Sequence, residues 1–147
     1  MTLSVLSCSL PLLICLTTLG EDEPGTDKKS PSLEGIWAVK SAVVEGNALP
    51  AEVTTMMQLK MRGGRYEAQV GENVDRGSYK VNDEKKPRWM DVTGVEGANK
   101  GKTFLAIYDW QDNKLRICYS LVDGKRPSKI DSTLSGQMLI VYKKPDK

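Results

Sequence analysis

The chain has 147 residues, with 21 Lys and Arg against 19 Asp and Glu, and no histidine. That length fits one domain with a single hydrophobic core. The missing imidazole excludes Ser-His-Asp and Cys-His catalysis and zinc sites built on His, and the near-balanced charge leaves no basic stretch of the kind that holds nucleic acid.

Residues 1–20 carry no charged side chain. An apolar run over 10–19 leads into Thr18-Leu19-Gly20, which places small residues at −3 and −1 before Glu21. This is the layout of a signal peptide, so secretion, or retention in the periplasm or cell envelope, is expected after cleavage. An uncleaved anchor is one alternative. Lipid anchoring at Cys15 is another, although Ile14 stands where a lipobox has Gly, Ala or Ser. Cleavage would remove Cys8 and Cys15 and leave Cys118 alone, so no intramolecular disulfide is expected and Cys118 reads as a small buried residue. Residues 21–32, with Pro24, Gly25 and Pro31, have little to bury and read as a flexible linker.

From residue 33 the chain alternates short apolar segments with turn residues. The first strand is expected over 34–44, opening on Gly35-Ile36-Trp37, and Pro50 can start a helical turn over 50–53. Met57, Leu59 and Met61 alternate with polar neighbours, and Gly63-Gly64 marks a hairpin into Tyr66, Ala68 and Val70. A turn at 71–73 precedes a strand over 76–81, where Gly77 signals a bulge or a close backbone approach. Further strands are expected over 89–95, 103–110, 115–121 and 138–142. The strand over 103–110 is apolar on both faces, as for one covered on two sides. A longer connection over 123–136 precedes the last strand. Eight strands at roughly ten-residue spacing, with no long 3.6-residue period, predict an all-β antiparallel up-and-down barrel with one short helical turn.

Three motifs are weak when read chemically. Gly97-Ala98-Asn99-Lys100-Gly101-Lys102-Thr103 ends like a phosphate-binding loop, but Glu96 stands where its first Gly belongs and a strand pattern follows instead of a helix. Asp109-Trp110-Gln111-Asp112-Asn113 lacks the Gly and the final Glu of a calcium loop. Lys85-Lys86-Pro87-Arg88, the densest basic cluster, reads as a solvated loop. After residue 20 there is no Ser-x-x-Lys pair, so serine chemistry with a Lys base finds no support. No catalytic residue, metal, nucleotide or cofactor is expected. Tyr66, Tyr79, Trp89, Phe104, Tyr108 and Tyr119 are candidates to line a cavity, but a core filled by these same rings is the simpler expectation.

Gly35-Ile36-Trp37 resembles the Gly-x-Trp of lipocalins and their relatives, whose Trp closes one barrel end. The resemblance implies a basic residue late in the chain packed on Trp37, with Arg126, Lys143 and Lys144 as candidates. Gly35, Trp37 and Arg126 form the expected closing set. A second resemblance covers 33–144. It rests on Leu33-Glu34-Gly35-Ile36-Trp37, Gly77-Ser78-Tyr79, Lys86-Pro87-Arg88-Trp89-Met90-Asp91, Gly101-Lys102-Thr103, Ala106-Ile107-Tyr108, Leu115-Arg116-Ile117-Cys118-Tyr119, Arg126-Pro127-Ser128 and Ser135-Gly136-Gln137. In order and spacing these pieces are similar to an uncharacterised family of secreted lipocalin-like domains expanded in planctomycete bacteria. Ile36 and Ile130 depart from its pattern, where Thr and Phe are expected. The resemblance implies a small extracytoplasmic barrel over 33–144 and carries no activity.

The expected function is a non-enzymatic, monomeric binding module for a small apolar or amphipathic ligand. A solid-core structural domain that contacts an envelope protein is the alternative, and a hydrolase built on two carboxylates is a third reading.

Overall fold

The computed structural model describes residues 31–146. The expected signal peptide, and the linker up to residue 30, lie outside the described residues. The described chain is almost entirely antiparallel: β1 (Gly35–Val44), β2 (Asn47–Ala48), α1 (Ala51–Thr54), β3 (Met57–Arg62), β4 (Arg65–Val70), β5 (Asn73–Asn82), β6 (Arg88–Glu96), β7 (Thr103–Gln111), β8 (Lys114–Ser120) and β9 (Gln137–Lys143). The strands follow one another round a single sheet, and β1 also pairs with β9. The result is a closed eight-stranded up-and-down barrel, with β2 a two-residue return along β1. No helix among the described residues is long and apolar enough to cross a membrane.

Closure depends on β1 serving two partners. Gly35 to Ala38 pair with β3, while Ala38 to Val44 pair with β9 across a register shift between Val39 and Ser41. That irregularity lets one strand leave its first neighbour for its last, and it removes the free edges of the sheet. A second irregularity lies in the β5–β6 pair. Arg76 pairs with Glu96 and Gly77 with Gly94, so Val95 is the extra residue. A Cβ at Gly77 would stand 1.9 Å from the Thr93 carbonyl oxygen, so only glycine allows β6 this close.

Alternation sorts the side chains as a half-buried strand requires. Trp37, Leu59, Met61, Met90, Ile117 and Ile140 belong to the main core. The outer face of β3 to β6 carries a charge row in which Glu67 accepts from both Lys60 (3.0 Å) and Arg76 (2.9 Å), and Arg76 reaches Glu96 (3.0 Å). These hydrogen bonds hold the Glu67 carboxyl below its ordinary pKa.

Ile107 and Cys118, register partners on β7 and β8, are fully buried but stand outside the main core. The connection over 121–136 accounts for this. From it, Arg126 donates to the Met90 carbonyl (3.2 Å) and the Ala106 carbonyl (2.7 Å). The Cys118 thiol faces the Asp131 carbonyl at 3.9 Å and the Gln137 amide oxygen at 3.3 Å. Burial raises the Cys118 pKa, as for an inert packing thiol.

Two segments differ from the expected layout. The β2 return is an addition to it, and β5 starts at Asn73 instead of Arg76. Asn and Asp are poor strand formers, but pairing of Asn73, Val74 and Asp75 with Val70, Gln69 and Ala68 overrides that preference. The glycine-rich segment 97–103 is a loop that runs into β7, with no helix after it.

Candidate functional site

One end of the barrel is closed by Trp37, which is 1% exposed. Its indole N–H donates to the Leu33 carbonyl at 2.8 Å, and its ring meets Trp110 at 5.5 Å between centroids. Lys144 places its Nζ 3.6 Å from the centre of the Trp37 ring and donates to the Glu34 carbonyl at 3.1 Å. Gly35 has φ +119°, and a Cβ there would stand 3.0 Å from that Nζ. The glycine of Gly-x-Trp therefore supplies both an unusual backbone angle and room for the ammonium. The Glu34 carboxylate accepts from the Gly63 amide (2.9 Å) and from the Tyr79 hydroxyl (3.3 Å), fastening the chain entry across the same end.

Arg126 is not part of this closure. It lies on the connection outside the barrel, and the wall separates it from Trp37. Its guanidinium stacks on Trp89 at 4.4 Å and pairs with Asp91 at 2.5 Å. Trp89 is not a cavity residue either. Its inward neighbour Met90 is buried, so alternation turns Trp89 outward, where it is 38% exposed between Arg126 and Lys85 (4.8 Å). Tyr108 is buried and points inward, but it is not part of the cavity lining, and its hydroxyl donates to Asp83 on the β5–β6 connection. Tyr66, Tyr79, Phe104 and Tyr119 do line a cavity.

That cavity has a volume of about 490 Å³, and neither Trp37 nor Trp110 belongs to its lining. It reaches Met57 at the start of β3, Val70 at the end of β4, Asn73 at the start of β5, Met138 near the start of β9 and the turn at 97–99. An interior filled by aromatic rings is therefore corrected to one that is plugged by Trp37 and partly hollow. The volume lies within the roughly 300–1,000 Å³ of small-molecule sites. Most lining groups are apolar. Met57, Met61, Met90 and Met138 give the wall unbranched, polarizable side chains that adapt to shape. Deep in the wall the hydroxyls of Tyr119 and Tyr142 meet at 3.2 Å. Burial pushes Tyr119 up to about 12 and Tyr142 well above the ordinary phenol value, so both are neutral hydrogen-bonding groups.

One charged residue lines the cavity, and the sequence pattern did not single it out: Asp75. It shares a face of β5 with Gly77 and Tyr79 and pairs with Ala68, which also lines the cavity. Its carboxylate accepts from the Tyr66 hydroxyl (3.0 Å), the Asn99 amide N–H (3.0 Å) and the Asn99 side-chain N–H (3.0 Å). The signal was present as phase: counting back by twos from Tyr79 reaches Asp75, but Asn73-Val74-Asp75 reads as a turn by composition.

Among the described residues no three His, Cys, Asp or Glu side chains converge as a metal site would need. No family model, curated protein or solved structure matches the chain.

Proposed function

We propose that this protein is a binding module that takes a small apolar or amphipathic ligand inside its barrel. The observation that carries this reading is the hollow of about 490 Å³ beyond the Trp37 plug, walled mainly by apolar and aromatic side chains. The hollow is partly open, so its apolar walls face water, and an apolar occupant would remove that surface from water. The four methionines favour a site that adapts to shape over one that fits a single rigid molecule.

Binding is preferred to catalysis on chemical grounds. A carboxylate-based hydrolase needs two acidic groups in one pocket, and Asp75 is the lone carboxylate in the lining. An extracytoplasmic location, a monomeric state and kinship with the secreted lipocalin-like domains of planctomycetes belong to the same proposal. They rest on the N-terminal sequence and on the order of motifs over 33–144.

Calorimetric titration with 1-decanol tests the reading. Saturable one-to-one binding with a negative heat-capacity change is expected, since apolar surface leaves water. Ala68 lines the cavity, and Ala68→Trp should abolish the binding while the barrel stays folded. Absence of saturable binding by the unaltered chain would remove the ligand role.

A further inference from the structure

Asp75 is the one charged group in a chamber whose other polar lining groups, Gln58, Gln69, Asn73, Asn99 and the tyrosines, are uncharged, and its three donors, the Tyr66 hydroxyl and two N–H groups of Asn99, are all neutral. No Lys or Arg belongs to the lining, and among the described residues Asp75 has no ion-pair partner. The adjacent Arg76 faces outward and is engaged by Glu67 and Glu96. An ionised carboxylate offers about four acceptor sites, so three donors leave one for a ligand. Tyr66, Phe104 and Tyr119, which share the lining, add ring faces of the kind that attract an ammonium group.

We infer that the cavity selects an amphiphile with a cationic head, an alkylammonium-type group that seats against Asp75 while its apolar body lies among the methionines. This rests on the reading of the barrel interior as a ligand site. The charge argument is one of desolvation and sign. An anionic head such as a fatty carboxylate would lose water beside a fixed negative charge, with no cation to receive it. A cationic head would regain in the Asp75 carboxylate what it gives up in hydration. The same carboxylate also fastens the 97–99 turn to β5, and a purely structural latch would show no preference among heads.

The test compares three probes with one decyl chain: decyltrimethylammonium, 1-decanol and decanoate. Each is titrated into the full chain below its micelle concentration at neutral pH and low salt. The expected order is ammonium, then alcohol, then carboxylate, with about tenfold or more between the first and last. Asp75→Asn should erase that order while 1-decanol still binds. Asn99→Ala, which loosens the latch but keeps the charge, should preserve it. If 1-decanol binds but decanoate binds as tightly as the ammonium probe, the lumen remains a ligand site and the head-group inference is overturned. That inference is likewise overturned if Asp75→Asn folds and keeps the preference. If none of the three binds, the ligand reading itself fails. Because the comparison of heads on the unaltered chain decides the question first, the inference stays testable even if Asp75→Asn does not fold.

Discussion

Lys144 lies over Trp37, with Nζ 3.6 Å from the ring centre, and this contact joins the end of the chain to its first strand. Trp37 enters at the start of β1 and Lys144 just after β9, so the contact fastens the seam where the barrel closes. It is a mixed interaction. The ring attracts the cation, while desolvation of the ammonium lowers its pKa.

Gly35→Ala tests the seam from the backbone. It would force a Cβ to φ +119° and to 3.0 Å from the Lys144 Nζ. A destabilisation of about 1–3 kcal/mol is expected. Lys144→Met, which keeps a long chain over the ring but no charge, should stay within about 1 kcal/mol, because lost cation attraction and relieved desolvation oppose each other. Urea denaturation of both variants checks the pair, and a Lys144→Met loss as large as that of Gly35→Ala would show that the charge dominates.

The two tryptophans of the closed end should respond differently. Trp37 donates to Leu33 and is almost fully buried, so Trp37→Ala should cost about 3–5 kcal/mol. The buried indole N–H of Trp110 has no acceptor among the described residues. Trp110→Phe should therefore cost less than Trp37→Phe, by at least about 1 kcal/mol, since it removes an unsatisfied donor where the other breaks a bond. Equal losses in chemical denaturation would contradict this account of the plug.

Arg126 holds the 121–136 connection to the barrel wall through Met90, Ala106 and Asp91 and through the face of Trp89. Arg126→Ala should cost about 2–3 kcal/mol. Arg126→Lys should not restore it, because an ammonium lacks the planar fork that both donates and stacks. Hydrogen exchange gives a local readout: the amides over 121–136 should lose protection before those of β3 and β4. Uniform loss would mean that the connection does not move as a separate unit.

All five tyrosines are held protonated beyond the ordinary phenol range, with burial the largest cause in each. A raised folded-state pKa favours the neutral form, so the contribution to stability is fully present below the unfolded value of 10.0 and is lost as pH climbs above it. Ultraviolet difference spectra should show little phenolate just above pH 10, then a cooperative rise that coincides with loss of strand signal in circular dichroism. Smooth, independent titration of several tyrosines at their ordinary value would contradict the burial assigned to them.

The sequence made the barrel legible because its wall is built from local alternation and tight turns, and both are written residue by residue. The hollow was not legible. Tyr66, Phe104 and Tyr119 line the cavity while Tyr108 does not, although all four lie on inward faces; position along β7 separates Phe104 from Tyr108, and periodicity carries no information about which position along a strand meets a hollow. Arg126 was matched to the wrong tryptophan for a related reason. The distance in sequence from 126 to β9 does not say that the connection folds back outside the wall. Asp75 was hidden by composition, because a β-strand that opens on Asn-Val-Asp is indistinguishable from a turn until its partner is known.

The central claim is that the barrel interior admits a ligand, and the methionines report on it directly. Met57, Met61, Met90 and Met138 line the cavity, while Met56 is 52% exposed and outside it. With methyl-labelled methionine, titration with 1-decanol followed by NMR should shift the four cavity methyls to a common saturation and leave Met56 in place. If the four stay fixed while the alcohol reaches saturation in solution, or if Met56 alone moves, the cavity is not a binding site.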